Sequence, residues 1–147
     1  MTGVDTDDGS IDADYVVICG GMWTRDLAAS IGVAAPLHAC EHYYVLFEGV
    51  EGIDNTLPVL RDYDYCGYYK YDAGKLLVGA FEPNARPWGM DGISEDFCFD
   101  EIAGSFEHFE PLLLDAMRRV PALEKAGIQK FFCGPESFTP DVRYHLG

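Results

Sequence analysis

The sequence predicts an α+β fold, in which a mixed or antiparallel sheet is covered by helices. Two observations lead to this prediction. Segments rich in aromatic and β-branched residues follow one another at short intervals through the middle of the chain, which is typical of an antiparallel meander. After them, apolar residues recur with helical spacing. Residues 1–35 differ from both parts and are predicted to belong to a separate layer of α/β type.

The N-terminal segment predicts a hairpin that leads into an apolar strand. Over residues 4–19 the apolar positions alternate, and Asp8-Gly9 has the composition of a two-residue turn. Residues 15–19 are apolar enough to form a strand of their own. They end at a glycine pair, which indicates a tight turn.

A short helix is expected directly after the glycine pair. Residues 23–31 suit a helix with Thr24 as its N-cap, and Gly32 supplies the residue type that commonly ends one. Strand, glycine turn and helix in this order are used by nucleotide-binding proteins to bring the backbone close to a phosphate. No complete G-x-G-x-x-G motif accompanies them in this sequence.

Four strands and a helical region follow. The strands are predicted near 40–47, 57–61, 67–72 and 75–81, with a turn at Ala73-Gly74 between the last two. Helices are predicted near 95–118, and Pro111 suggests two helices that meet at a bend. A closing strand is expected over 128–133 and a polar loop over 134–147. The helical stripe expected to be buried consists of Phe99, Ile102, Phe106, Phe109 and Leu113.

Composition excludes several classes of partner. Twenty-five acidic residues against ten basic ones give a formal charge of −15, which argues against binding to nucleic acid or to an anionic membrane. No apolar run has the length of a membrane span and no signal peptide is evident, so a soluble, cytoplasmic protein is expected. The five cysteines lack a C-x-x-C pair, which predicts buried free thiols and no metal site. The run Glu107-His108-Glu110 is interpreted as a solvated helix face.

Five stretches in order carry a resemblance to a known family: "GSIDADYVVICGGMW", "EHYYVLFEG", "LPVLRDYDYCGYYKY", "LLVGAFEPNARPW" and "GPESFTPD". With them the chain resembles the FAD-dependent amine oxidoreductases of the dimethylglycine and sarcosine dehydrogenase type, in the D-amino acid oxidase superfamily. The resemblance covers nearly the whole chain. It implies FAD as the cofactor and a small amino acid as the substrate.

The resemblance also implies a domain organisation. Residues 1–35 correspond to a remnant of an FAD-binding domain, residues 36–133 to the substrate-binding domain, and residues 134–147 to a truncated loop that returns toward the FAD domain. Members of the family begin with the G-x-G-x-x-G segment that holds the ADP half of FAD. We therefore expect an internal piece of a larger enzyme that does not retain FAD alone, and a folate-binding domain can accompany it in the parent protein.

The resemblance implies which residues carry chemistry. His42 and Tyr68 match the catalytic histidine and tyrosine of the family. Because side chains of equal parity share one face of a strand, His42 should point with Tyr44 and Leu46, and Tyr68 with Lys70. Tyr43 and Val45 should then fill the opposite face. Without the resemblance, the histidine and the tyrosine would be interpreted as ordinary sheet residues.

Cofactor and substrate contacts are assigned in the same way. Gly20, Gly21, Trp23 and Tyr68 are expected near FAD. Arg61 and Lys70 are candidates for contact with a substrate carboxylate, although an ion pair of Arg61 with Asp62 or Asp64 is the more common arrangement.

The function implied is the oxidation of a small N-methylated amino acid, of the dimethylglycine or sarcosine type, by hydride transfer to FAD. The alternative is a non-catalytic α+β module for binding or assembly, with the aromatic sheet as its contact surface.

Overall fold

The computed structural model describes residues 2–146. The chain divides into two compact units. The larger unit is Ala39–Glu136, and the smaller one combines the residues up to His38 with those from Ser137 onward. The two units are taken in turn.

The smaller unit begins with a hairpin, as the sequence predicts. Strands β1 (Gly3–Thr6) and β2 (Gly9–Asp12) are antiparallel. The turn lies one residue earlier than predicted, at positions 7 and 8. Gly9 already pairs with Thr6, whose hydroxyl donates a hydrogen bond to the Gly9 carbonyl at 2.8 Å.

The predicted strand over 15–19 is not formed. No strand pairs with this segment within the described part of the chain, and the side chains of Tyr15 and Val17 are 91% and 81% exposed. An extended segment becomes a strand only when a neighbour accepts its backbone hydrogen bonds. The apolar composition of the segment indicates strand propensity, but among the described residues no neighbouring strand pairs with it.

Helix α1 (Thr24–Ser30) confirms the predicted helix after the glycine pair. A 3₁₀ turn, Gly21–Trp23, precedes it, so Trp23 takes the N-cap position and Thr24 is the first helical residue rather than the cap. Gly32, with a φ of +78°, follows the last turn and ends the helix as predicted.

The larger unit is built on an antiparallel meander, and this prediction is confirmed. The strands are β3 (His38–Glu48), β4 (Leu60–Asp62), β5 (Gly67–Asp72), β6 (Lys75–Ala80) and β7 (Gly127–Phe138). The sheet has the strand order β4-β5-β6-β3-β7, and its pairs β4/β5, β5/β6 and β3/β6 are antiparallel. The turn between β5 and β6 uses Ala73 and Gly74, both with positive φ.

Strand β7 is longer than predicted. It continues five residues beyond Cys133, so the segment predicted as a polar loop begins as a strand. Strand β3 lies beside it in the sheet. This extension carries Glu136 to the neighbourhood of His42.

A single helix, α2 (Phe106–Arg119), replaces the two predicted helices. Its start is fixed by Ser105, whose hydroxyl accepts a hydrogen bond from the backbone N–H of His108 at 3.2 Å. Pro111 lies inside the helix without ending it. Residues 95–105 are not helical, and within them the backbone N–H of Ile102 donates to the carbonyl of Cys133 at 3.0 Å.

The core lies between β3 and α2. Tyr43, Val45 and Phe47 are fully buried on one face of β3, which confirms the predicted alternation, and Phe109 and Leu113 of α2 belong to the same cluster.

The other three residues of the predicted stripe lie before α2 or at its first position, and their burial differs from the prediction. Ile102 is partly buried, Phe106 is 45% exposed and Phe99 is fully exposed, so the prediction for both phenylalanines is wrong.

The cysteines are free thiols, as predicted, but they are not all buried. Cys40 and Cys133 are buried and Cys66 is half-buried, whereas Cys19 and Cys98 are exposed. No helix within residues 2–146 combines the length and the apolar character that crossing a membrane requires.

Candidate active site

His42 and Tyr68 face each other on one side of the sheet of the larger unit. Nε2 of His42 lies 3.0 Å from the hydroxyl oxygen of Tyr68, although the two residues are 26 positions apart in sequence. His42 is on β3 and Tyr68 is on β5, and strand β6 runs between them. A shared catalytic role, as the resemblance implies, requires both side chains on one face of the sheet, and the geometry meets this requirement.

Gly79 of β6 makes this contact possible across the intervening strand. It pairs with Tyr44 on one side and with Tyr68 on the other. A Cβ atom at Gly79 would lie 2.1 Å from Cζ of Tyr68, so the phenol ring occupies the place of a side chain. The sequence analysis missed this residue, although a glycine inside a strand is a recognised sign of close approach.

Phe81 forms a wall of the site. Its ring centroid lies 4.8 Å from that of His42 and 5.7 Å from that of Tyr68. On the same ring, the guanidinium carbon of Arg61 lies 4.4 Å from the centroid, within the range of a cation–π contact. The Phe81 ring thus lies against the imidazole of His42, the phenol of Tyr68 and the guanidinium group of Arg61.

Two carboxylates that the sequence analysis did not select complete the surroundings of His42. Oε2 of Glu82 lies 3.7 Å from Nδ1, and Oε2 of Glu136 lies 3.5 Å from Nε2. The side chain of Glu82 is only 4% exposed, and that of Glu136 is 44% exposed. An acidic residue directly after a buried strand was a signal for Glu82. Glu136 was hidden by the prediction of a loop.

The phenol of Tyr68 stays protonated at neutral pH. Burial, followed by the negative charges of Glu136 and Glu82, raises the pKa of Tyr68 to about 12. The hydroxyl group is therefore a donor, and Nε2 of His42 is the acceptor within reach when its other nitrogen carries the hydrogen.

Arg61 is held by backbone rather than by a carboxylate. Its Nη1 donates to the carbonyls of Cys66 and Gly67 at 3.2 and 3.3 Å. The suggested ion pair with Asp62 or Asp64 is wrong, because both carboxylates pair with Arg119. The Arg119 Nε donates to Asp62 at 2.5 Å. Lys70 lies further along β5, where its amine pairs with Asp72 at 3.9 Å and is 54% exposed.

Of the four residues expected near FAD, Gly20, Gly21 and Trp23 lie in the smaller unit and Tyr68 lies in the larger one. A Cβ atom at Gly20 would lie 2.9 Å from a methyl carbon of Leu27, whereas Gly21 has a φ of +56° and open space where a side chain would be. Trp23 is 40% exposed. A backbone without side chains beside a helical turn fits close approach of a phosphate-bearing cofactor such as FAD.

The run around His108 forms no metal centre. Within residues 2–146, no group of three or more His, Cys, Asp and Glu side chains is placed to hold an ion. The interpretation of His108 as solvated is wrong, because its ring lies 5.8 Å from that of Tyr43 and its Nε2 is buried. Glu107 and Glu110 are exposed as expected.

Comparison with protein families gives a match over the whole sequence. The family model described as "DAO: FAD dependent oxidoreductase" matches residues 1–147.

Curated relatives match over the whole chain as well. The chain is 44% identical to 4-methylaminobutanoate oxidase (formaldehyde-forming) of Paenarthrobacter nicotinovorans and 40% identical to the mitochondrial sarcosine dehydrogenase of Homo sapiens, over all of this chain and 18% and 16% of those proteins. It is also 37% identical to the mitochondrial pyruvate dehydrogenase phosphatase regulatory subunit of Mus musculus, over 17% of that protein. The chain thus spans less than a fifth of these relatives.

Among solved structures, the glycine oxidase of Geobacillus kaustophilus superposes with a TM-score of 0.70 and 25% identity. The superposition covers the whole of this chain and 36% of that one. The α+β architecture predicted from the sequence is therefore shared with a flavoenzyme of known structure.

Proposed function

We propose a function from one premise: the chain belongs to the DAO family of FAD dependent oxidoreductases, whose model matches residues 1–147. The chain contributes the substrate-facing part of a flavoenzyme that oxidises a small amino acid at the carbon beside its nitrogen. The contact of 3.0 Å between His42 and Tyr68 is the observation that carries this proposal. It joins an acid–base side chain to a protonated phenol on one surface.

The substrate class is an N-methylated amino acid. The names of two relatives specify 4-methylaminobutanoate and sarcosine, which both carry an N-methyl group and a carboxylate. For this chain, the dimethylglycine or sarcosine type is proposed. Arg61 pairs with Tyr68 between β4 and β5, and Lys70 follows Tyr68 on β5, so these two cations are the candidate donors to the substrate carboxylate.

Cofactor contacts are proposed for each unit by itself. In the smaller unit, Gly20, Gly21 and Trp23 would approach FAD through the backbone. In the larger unit, Tyr68 is the residue proposed to contact FAD. This assignment corresponds to residues 1–35 as part of an FAD-binding domain, 36–133 as the substrate-binding domain and 134–147 as the return segment. FAD, when bound, supplies the acceptor for the hydride that leaves the C–H bond of the carbon beside the nitrogen.

The His42–Tyr68 pair would manage the proton of the substrate amine. An ammonium group has no lone pair on nitrogen to support cleavage of the neighbouring C–H bond, so the reacting amine must be neutral. His42 is the member of the pair that can accept that proton, because a neutral imidazole has a nitrogen lone pair. The Tyr68 hydroxyl donates a hydrogen bond that orients the imidazole or the substrate.

The test is the rate of flavin reduction in the complete protein. Sarcosine, dimethylglycine and 4-methylaminobutanoate are mixed anaerobically with the parent and with His42→Ala and Tyr68→Phe. Both variants should be slower by about 10²-fold or more. The effect of the histidine change should vary with pH more than that of the tyrosine change. Tyr63→Phe is the matched control, because Tyr63 is 81% exposed.

Reduction at the parent rate in both variants would remove the catalytic assignment. If none of the three amines reduces the flavin in the parent, the substrate class is wrong.

A second candidate function follows from the relative that is named as a regulatory subunit. Family membership and the fold are compatible with a non-catalytic module for binding or assembly. Under this alternative the complete protein would not turn over any amine, and the His42→Ala variant would behave like the parent in every assay of flavin reduction. The same experiment therefore separates the two functions.

Two further predictions accompany the proposal. Free thiols at all five cysteines are compatible with a reducing, cytoplasmic location. A folate-binding domain in the parent protein would accept the one-carbon unit released from an N-methyl group.

A further inference from the structure

We infer that Glu82 is a positioning residue for His42, which fixes the tautomer that accepts a hydrogen bond from Tyr68. This inference rests on the proposed function, since it assigns a third member to the same site. Neither the sequence analysis nor the comparisons assign a role to Glu82.

Two buried atoms on facing groups lack a hydrogen-bond partner. These are Nδ1 of His42 and Oε1 of Glu82, among the described residues. The other carboxylate oxygen of Glu82 lies 3.7 Å from the same Nδ1. A buried polar atom without a partner costs free energy, and active-site hydrogen bonds are often long until a ligand is bound. A small shift of the Glu82 side chain would satisfy the Nδ1 hydrogen.

Glu82 suits this role better than the second carboxylate. The side chain of Glu82 is 4% exposed, so its charge is poorly screened by water. Glu136 is 44% exposed and lies 3.5 Å from Nε2, where it shares that nitrogen with the Tyr68 hydroxyl. Only Glu82 lies against Nδ1, among the contacts of the described residues.

The local structure holds Glu82 in place. The preceding residue, Phe81, packs its ring on His42 and donates its backbone N–H to the carbonyl of Cys66 at 2.9 Å. Pro83 follows and restricts the backbone of Glu82 to extended conformations. The carboxylate is thus fixed at the end of β6, beside the imidazole.

The chemical consequence concerns which nitrogen carries the hydrogen. When Nδ1–H points to the Glu82 carboxylate, Nε2 keeps its lone pair and accepts the Tyr68 hydroxyl hydrogen. After His42 has taken a proton from the substrate amine, the same carboxylate stabilises the imidazolium. The charged and titratable groups that face the His42–Glu82 pair include Tyr68 from β5 and Glu136 from β7. Arg61 of β4 faces the pair through the Phe81 ring.

The experiment uses the complete protein and two independent readouts. The first is the imidazole ¹⁵N spectrum of histidine-labelled protein, in which the His42 signals are assigned by their loss in His42→Gln. In the parent, Nδ1 should be protonated and Nε2 unprotonated at a pH where the imidazole is neutral. In Glu82→Ala this preference should be lost. The same acidic-to-alanine change at Glu51, which is exposed in a turn, should leave the signals unchanged.

The second readout is flavin reduction as a function of pH and substrate concentration. Loss of a carboxylate that orients a functional histidine typically costs 10- to 100-fold. Glu82→Ala should therefore lower the limiting rate by about that factor with a small change in KM. The pH profile of Glu82→Ala should differ from that of the parent, because the imidazole has lost the carboxylate that faces its Nδ1. Glu82→Met removes both oxygen acceptors at a similar volume and serves as the comparison if the alanine variant does not fold.

The two readouts keep this inference separate from the proposed function. If no amine reduces the flavin but the ¹⁵N preference depends on Glu82, the positioning role stands and the proposed substrate class falls. An unchanged His42 tautomer in the Glu82 variants overturns the inference, whatever happens to the rate.

Discussion

The phenol ring of Tyr68 lies directly over Gly79, its partner on the neighbouring strand. The two residues are opposite each other in the β5/β6 pairing, and a Cβ atom at Gly79 would lie within 2.2 Å of the Tyr68 hydroxyl oxygen. The ring reaches His42 only because Gly79, on the strand between β5 and β3, carries no side chain at this point. The contact between the two candidate catalytic residues therefore depends on a third residue that carries no functional group.

The Gly79→Ala change should displace the Tyr68 ring and reduce activity. The added methyl group would collide with the ring, and overpacking of this kind typically costs about 1–3 kcal/mol of stability. The rate of flavin reduction in the complete protein should fall to the level of Tyr68→Phe, while the circular dichroism spectrum keeps its sheet signal. Gly127→Ala is the control, because its Cβ would lie 3.2 Å from the flexible side chain of Glu48. Activity at the parent level in Gly79→Ala would contradict the dependence on the glycine.

The sequence predicts which neighbours share a face with His42 and which share a face with Tyr68, because parity within a strand is a local property. It does not predict that both residues lie on one side of the sheet and in contact, because the register of β6 between them decides this. A slip of one residue would have turned Tyr68 to the opposite face. The carboxylates around His42 depend on the ends of strands, where sequence patterns define boundaries poorly. Glu136 was missed for this reason.

In the helical region, the apolar pattern of the sequence predicts more helix than the structure forms. The spacing of Phe99 and Ile102 is consistent with a helix, but Gly104 lies so close to Cys133 that a Cβ would come within 2.7 Å. A close approach of this kind is a tertiary feature, and it leaves the segment before Ser105 outside the helix. Apolar periodicity alone does not reveal it.

The packing of the core can be tested by comparing a buried and an exposed phenylalanine from the predicted helical stripe. Phe109 is 1% exposed and packs on Tyr43 and Phe131, whereas Phe99 is fully exposed. Phe109→Ala should lower the free energy of unfolding by about 3–5 kcal/mol, as expected for a buried phenylalanine. Phe99→Ala should change it by less than about 0.5 kcal/mol. Urea titration of both variants measures the difference, and equal effects would show that the helix packs differently.

The ion pair between Asp62 and Arg119 should make stability depend on acid. Hydrogen bonding from Arg119 lowers the pKa of Asp62 below the usual value, so the carboxylate stabilises the fold above the pKa of an unfolded aspartate, about 3.9. This contribution is lost as the pH falls through the lowered, folded-state pKa. Asp62→Asn should therefore unfold at lower urea concentration than the parent at pH 7.

The difference between Asp62→Asn and the parent should shrink toward pH 3. Asp115→Asn is the control, because its partner Arg118 is 69% exposed and surface pairs contribute little. A constant difference between Asp62→Asn and the parent over this range would exclude the ion pair as its cause.

Alkaline pH should destabilise the larger unit through its buried phenols and thiols. The pKa of Tyr68 is raised to about 12, mainly by burial and then by Glu136 and Glu82, while that of Cys133 is raised to about 11, mainly by burial. The folded state therefore keeps protons that the unfolded chain releases near pH 8.5 for cysteine and near pH 10 for tyrosine. Stability is complete below these values and is lost as the pH rises toward the folded-state pKa values.

The urea midpoint should accordingly fall between pH 8 and pH 11. Tyr68→Phe removes one ionisable phenol from the folded interior, so the midpoint of this variant should fall less steeply than that of the parent above pH 10. Tyr63→Phe, at an exposed position, should keep the parent slope. If the Tyr68→Phe and parent curves run parallel over this range, Tyr68 ionises in the folded state as readily as in the unfolded chain. The environment described for its hydroxyl, beside His42 and two carboxylates, would then be wrong.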